Sequence, residues 1–348
     1  MTNRLKKVLA KKISIRYPFH IINIPLITKL YNTAFSNSDS SLRRFVVSLP
    51  VLLIFYFLQR YSPFKSNGAF SYKLKNKYKT IFFNARNTQY QALYKDLFQH
   101  GYEPEVMALL DIIMPPSGTF YDIGANWGYF SMYVASKPGF KGRILAFEPF
   151  PSSYQDLKDV IEQAELTDTI ECYPVALSNF EGNAHIQLPD HIHSGFATIR
   201  NNNSNFFSPR VKVTKLDTID LLSPSVLKID VEGSEYFVLI GGRNVLVKYK
   251  PMIIFENIRD FKDVDKTLKP LFFLKKLGYT FFIPCWLKQK KSHFVFLSPE
   301  DPRYSKPMDT LALIPITLEK RFLYYNQINI FACHKNNLPD LYKLFNKI

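Results

Sequence analysis

The chain has 348 residues, 47% hydrophobic and 16% aromatic, which is enough apolar material for one large domain with an extension. Three cysteines, Cys172, Cys285 and Cys333, stand far apart with no C-x-x-C spacing, so neither a zinc site nor a disulfide framework is supported and a reducing, cytoplasmic setting is expected. The net charge of +16 is lopsided: residues 1–80 hold 15 Lys and Arg against one acid, Asp39, and so carry +14 of it.

Within that basic arm lies Phe45–Leu58, fourteen uncharged residues flanked by Arg43, Arg44 and Arg60. A helix crossing the hydrocarbon layer needs about 20 apolar residues, so this run, with Pro50 inside it, is short. Three readings stay open: a core segment, a segment lying at the inner face of an anionic membrane and held by the basic flanks, or a true anchor. Nucleic acid is not an expected partner, because no reader motif accompanies the charge. Polar punctuation falls at Ser36–Ser41 and Ser62–Gly68. Residues 70–83 alternate lysine with apolar side chains, as an exposed strand or hairpin does, and Tyr90–Met114 reads as helical with a break at Gly101–Pro104. The expected organisation is a basic extension over 1–80, a catalytic domain over 81–300, and a C-terminal segment, 301–348, packed on that domain.

From Thr119 a βα rhythm sets in. Strands are predicted at Thr119–Ile123, Arg143–Phe147, Ile170–Val175, Val226–Ile229 and Met252–Phe255, with helices at Gly128–Ser136, Ser152–Ala164 and Ser234–Ile240. This is the signature of an α/β fold with a mostly parallel sheet and helices on both faces. The interval Leu177–Leu216 breaks the rhythm and reads as an inserted hairpin with strands at Ala184–Leu188 and Val211–Val213. Further strands are expected at Thr280–Ile283 and His293–Leu297.

The loop after the first of these strands, Gly124-Ala125-Asn126-Trp127-Gly128, departs from a dinucleotide fingerprint. Asn126 stands where the second glycine would be, the third comes one residue early, and no phosphate-binding lysine follows. Asp122, at the end of the strand, would repel a phosphate but suits an ammonium. S-adenosylmethionine has that chemistry: a ribose diol, an ammonium, a carboxylate and no phosphate. Glu148, ending the next strand, is placed to accept from the two ribose hydroxyls. Either acid taken alone is more commonly a solvated loop carboxylate.

Four acids, Asp122, Glu148, Asp230 and Glu256, each end a different apolar run, and in an open parallel sheet those ends share the ligand edge. Asp230 and Glu232 are placed for chemistry, with Asp230 as the base for an attacking hydroxyl. Two carboxylates, Asp230 and Glu256, are a thin ligand set, so a divalent metal is admitted but not expected. His191 and His193 are alternative bases, and Glu235 is read as a stabiliser of its own helix turn.

DIGANWGYFS, AFEPFP, VALSNFEG, KLDTID, KIDVEGSEYFVLIGG and MIIFEN, in this order, resemble the FkbM-type S-adenosylmethionine-dependent methyltransferases over roughly Tyr102–Phe255. The resemblance implies a class I methyltransferase (Rossmann-like) fold that methylates oxygen on saccharides or other small-molecule hydroxyls. It implies a donor loop of Asp122, Gly124, Asn126 and Gly128, with Glu148 on the ribose and Ala176 beside adenine. Asp230 and Glu232 would face the reaction centre, and Glu103 would help close the donor site. A donor-binding or membrane-recruited scaffold protein without catalysis is the alternative, and a nicotinamide-dependent oxidoreductase is disfavoured by the glycine spacing.

Overall fold

The computed structural model describes residues 8–24, 67–85, 87–93, 101–187, 198–200, 209–220, 222–290, 293–297, 309–324 and 327–347. The apolar run 45–58, the polar stretch 36–41, and His191 and His193 lie outside these. Among the described residues no helix is long and apolar enough to cross a membrane.

The N-terminal region supplies β1 (Leu9–Lys12), β2 (Phe19–Asn23), β3 (Asn67–Leu74) and β4 (Lys77–Asn84), followed by a 3-10 turn, Thr88–Leu93, and α1 (Pro104–Ile113). The βα series then runs β5 (Thr119–Ile123), α2 (Tyr129–Ala135), β6 (Arg143–Phe147), α3 (Pro151–Gln163) and β7 (Ile170–Tyr173). The insertion holds β8 (Val175–Leu177), β9 (Gly182–Gln187), β10 (Thr198–Arg200) and β11 (Arg210–Thr214). After it come β12 (Val226–Ile229), α4 (Glu235–Gly241), α5 (Arg243–Tyr249), β13 (Met252–Ile258) and α6 (Val264–Lys276). The C-terminal part contributes β14 (Tyr279–Lys290), β15 (His293–Leu297), β16 (Thr310–Ile316), β17 (Gln327–His334), α7 (Leu338–Leu344) and β18 (Asn346–Lys347).

The main sheet has the order β18-β1-β16-β14-β17-β13-β12-β5-β6-β7. Its ligand half, β13-β12-β5-β6-β7, is parallel throughout, and the strands beyond β13 are antiparallel. Because side chains alternate along a strand, β5 feeds two cores. Phe120 joins the cluster that includes Val106, Met132 and Leu157 of α1, α2 and α3. Tyr121 and Ile123 join the one that includes Val238, Leu246 and Leu271 of α4, α5 and α6. The result is a mixed α/β fold with helices on both faces.

Three expectations need correction. The strand predicted over Ile170–Val175 is divided at Pro174, which lacks an N–H for the ladder, and β8 leaves for a second sheet, β10-β9-β11-β8. The boundary at residue 300 does not hold either. β17 is an interior strand between β13 and β14, so the C-terminal segment is woven into the sheet rather than packed upon it. Nor do residues 1–80 stand apart where they are described. β1 pairs with β16 in the main sheet, while β2, β3 and β4 form a small sheet. That sheet turns Phe70, Tyr72, Ile81 and Phe83 into the core and leaves Lys73, Lys75 and Lys77 outward. The alternation of lysine with apolar residues was thus a half-buried strand pair, exposed on one face only.

Candidate active site

The donor loop is fixed by its own backbone. Gly124 N–H and Ala125 N–H both donate to the Phe147 carbonyl (2.9 and 3.0 Å), Gly128 N–H to Ala125 (2.8 Å), and Asn126 N–H to Glu148 Oε2 (2.8 Å). Four of the five loop amides are therefore turned inward, and the loop offers no nest of free N–H groups to a phosphate. Gly124 has φ +83°, and a Cβ there would lie 1.8 Å from the Asp230 carbonyl oxygen, so neighbouring strand ends approach as closely as backbone allows. Asn126 also sits at positive φ, 48°, held by Asn87, whose amide donates to Asn126 Oδ1 (3.1 Å) and to Asp156 Oδ2 (2.9 Å).

Trp127 is 1% exposed and stacks on Tyr90 at 4.6 Å, with its indole N–H on the Gln89 carbonyl. Phe19 and Phe70 of the N-terminal sheet meet its ring edgewise. The bulk that is awkward for wrapping a phosphate thus anchors the loop to the N-terminal region.

Beside the loop opens a cleft of roughly 980 Å³, its mouth included. Asn126, Glu148, Phe150, Ala176 and Leu177 line one end, while Tyr102, Lys228, Asp230 and Glu232 line the other. Glu148 Oε1 accepts from Phe150 N–H (2.8 Å) and Oε2 from Asn126 N–H, leaving lone pairs on both oxygens for a diol. Burial nevertheless pushes its carboxyl up to about 7, against the pull of those two N–H bonds. Asp122 is enclosed, accepts from Ser131 Oγ (2.7 Å), and is raised by burial in opposition to Lys228 and Ser131.

At the other end sits a group of carboxylates around one lysine. Lys228 faces Asp122 across the β12–β5 pair; its Nζ is 2.7 Å from Asp230 Oδ2 and lies over the Phe130 ring at 4.3 Å. Burial works against its charge, but Asp230, Glu103 and Asp122 overcome this and hold it firmly protonated. Asp230, Glu232 and Glu256 bring carboxylate oxygens within 4.8 Å of one another. Burial and then repulsion from Asp230 push Glu232 up to about 8 and Glu256 to about 9. Glu103, the left-handed cap residue of α1, is raised by burial and eased by Lys228. Strand β17 completes the group: Gln327 donates to Glu256 Oε1, and Asn329 bonds Glu103.

Of the ten sequence-predicted residues, Gly124, Asn126, Glu148, Ala176, Asp230 and Glu232 line the cleft, and Asp122, Gly128, Glu103 and Glu256 stand behind its lining. Asp122, Gly124, Asn126, Gly128, Glu148 and Ala176 fall at the donor end, and Glu103, Asp230, Glu232 and Glu256 at the other. Glu235 stands aside, accepting from Gly233 N–H (3.0 Å) and Val231 N–H (3.3 Å) in its own turn. Asp217 of KLDTID does the same for α5, accepting from the N–H groups of Asn244 and Val245. Sequence reasoning passed over Lys228, although a lysine inside the fully buried run Val226–Ile229 must find a partner. It also missed Asn87, Gln327 and Asn329, which no local pattern marks.

Residues 122–281 match the Methyltransferase FkbM domain, across the segment that holds the donor loop, Glu148, Asp230 and Glu256. This match covers under half of the chain. The match lies in the βα half of the main sheet and the strands that follow it. Methyltransferase sdnD of Sordaria araneosa is 27% identical over 144 residues, which is 41% of this chain and 52% of that one. AMB antimetabolite synthetase AmbE of Pseudomonas aeruginosa is 30% identical over 98 residues, 28% of this chain and 4% of that one. The chain thus spans about half of one curated relative and a small fraction of the other. Among solved structures, methyltransferase FkbM from Methylobacillus flagellatus KT aligns with TM-score 0.37 and 18% identity, covering 57% of this chain and 43% of that one. Precorrin-6y C5,15-methyltransferase from Geobacter metallireducens GS-15 aligns with TM-score 0.35 and 14% identity, covering 67% and 89%.

Proposed function

We propose that the FkbM domain transfers the methyl group of S-adenosylmethionine to a hydroxyl oxygen of a saccharide, glycolipid or related small molecule. The observation that carries this reading is the shared cleft, with Glu148 at one end and Asp230 and Glu232 at the other, Glu256 lying next to those two. In this reading Glu148 takes the ribose, Ala176 and Leu177 flank the adenine, and Asp122 with the Gly124–Gly128 loop holds the methionine end. The methyl carbon leaves sulfur and bonds to the acceptor oxygen, the C–S electron pair stays on sulfur, and the hydroxyl proton departs toward the carboxylates. Holding the oxygen in line with the S–CH₃ bond supplies most of the acceleration, and proton removal adds about 10²–10⁴-fold. Three unpaired cysteines agree with a reducing, cytoplasmic setting.

Calorimetry with S-adenosylhomocysteine, followed by transfer of labelled methyl to a panel of saccharides and glycolipids, tests the reading. Wild type binds and labels oxygen; Glu148→Ala loses donor binding, while Asp230→Asn keeps it and loses turnover. An Asp230→Asn variant with full turnover, or a product methylated on nitrogen or carbon, refutes the assignment.

A further inference from the structure

The acidic end of the cleft gathers more carboxyl groups than Lys228 can pair. Four carboxylates, Glu103, Asp230, Glu232 and Glu256, lie near enough to act on one another, with Lys228 as the cation at their foot. Lys228 is itself committed, bonded to Asp230 and seated on the Phe130 ring.

A second observation shows that this is more than crowding. Glu256 is 6% exposed, and its Oε1 is satisfied by Gln327. Its Oε2 is completely enclosed and meets no hydrogen-bond donor. Leaving such an oxygen unmatched costs about 1–3 kcal/mol or more. Across the group, Glu103 Oε2 is enclosed and unmatched as well. An orphaned oxygen within the three-carboxylate cluster, with a second near it, leaves acceptors that a positively charged occupant would satisfy.

The spacing selects the occupant. Oxygens around an oxygen-preferring divalent cation stand about 2.0–2.6 Å from it, so opposite ligands are about 4–5 Å apart. Asp230, Glu232 and Glu256 already present oxygens within 4.8 Å of one another. All three donors are hard carboxyl oxygens, which suits magnesium or manganese over zinc or copper.

We propose that Asp230, Glu232 and Glu256 form a divalent cation site, and that the acceptor hydroxyl binds this cation when it is methylated. This deepens the hydroxyl-acceptor reading and rests on it. A hydroxyl bound to the cation releases its proton to water more readily. The resulting alkoxide then attacks the methyl carbon, the C–S pair returns to sulfur, and a neutral thioether departs. It also revises the expectation of a thin, two-carboxylate set, since Glu232 supplies the third.

The test uses the full chain, stripped with chelator and saturated with S-adenosylhomocysteine, titrated with manganese(II) and followed by the loss of the free-ion electron paramagnetic signal. One manganese per chain is expected, bound at least ten-fold more weakly by Glu256→Gln and by Glu232→Gln, and equally well by the exposed control Glu162→Gln. Retained S-adenosylhomocysteine affinity shows that each variant is folded, because the donor end is untouched. Absence of manganese binding, or equal binding by Glu256→Gln and wild type, overturns the site. Full-rate hydroxyl methylation in chelator also overturns it while leaving the acceptor reading intact. Manganese binding with an N-methylated product does the reverse.

Discussion

Glu256 offers the sharpest test of the electrostatics, through its isosteric amide. In Glu256→Gln, Oε1 still accepts from Gln327 and an NH₂ replaces the orphaned Oε2. Burial and Asp230 raise the native carboxyl to about 9, whereas the unfolded chain titrates near 4.5. The folded state therefore binds the extra proton between those values. The sign follows from linkage: wild-type stability is fullest below pH 4.5 and is lost as pH rises through 9. At pH 8, keeping that proton costs about 5 kcal/mol at ~1.4 kcal/mol per pH unit. Relaxation and water entry reduce the realised figure to about 2–3 kcal/mol. Urea unfolding in chelator, repeated from pH 4.5 to 8.5, should show the variant equal to wild type at the acid end and more stable by that amount at pH 8. A stability difference that does not change with pH, or a variant weaker than wild type at pH 8, would refute the reasoning.

Two glycines of the donor loop should part company. Gly128→Ala meets the flexible end of Leu157 at 2.6 Å and costs about 1–2 kcal/mol for its left-handed backbone, measurable as a modest fall in unfolding midpoint. Gly124→Ala meets a backbone carbonyl that cannot yield, so S-adenosylhomocysteine binding should vanish in calorimetry even where the protein folds. Lys228→Met leaves the partly buried Asp230 without its partner and should cost about 1–3 kcal/mol, read by chemical denaturation. Asn87→Ala frees Asn126 from its tether and takes a donor from the buried Asp156, so it should weaken S-adenosylhomocysteine several-fold and cost about 1–3 kcal/mol of stability. If residues 1–80 meet an anionic membrane surface, flotation with phosphatidylserine vesicles should require them and fall as salt rises.

Much of the parallel half was legible because its signals are local. Buried strands read as short apolar runs, and each ends in an acid at the ligand edge, as Asp122, Glu148 and Asp230 do. The loop's lack of phosphate logic was legible too, since the glycine spacing forbids the wrap and the inward-turned amides show why. What escaped was non-local. Gln327 and Asn329 reach the acids through a strand pairing more than 70 residues away in sequence, Glu256 with Asn329, which no periodicity encodes. The hairpin over residues 70–83 was legible but its burial was not: charge dominates composition there, while the aromatic stripe of Phe70, Tyr72 and Phe83 decides packing. Pro174 shows the opposite case, a local breaker read as the inside of a strand.

The position of β17 has a consequence for how the protein comes to be active. Synthesis runs from the N-terminus, so the parallel strands and all four acids leave the ribosome before Gln327 and Asn329 exist. Until residue 334 has emerged, β13 and β14 are edges without their shared neighbour, and the acids lack two of their bonding partners. The nascent chain would carry the acids in an unfinished setting, and the last-made interior strand closes the sheet and completes their hydrogen bonding. A fragment cut at residue 281 would preserve the sequence motifs and lose β17 with the two side chains that bond the acids.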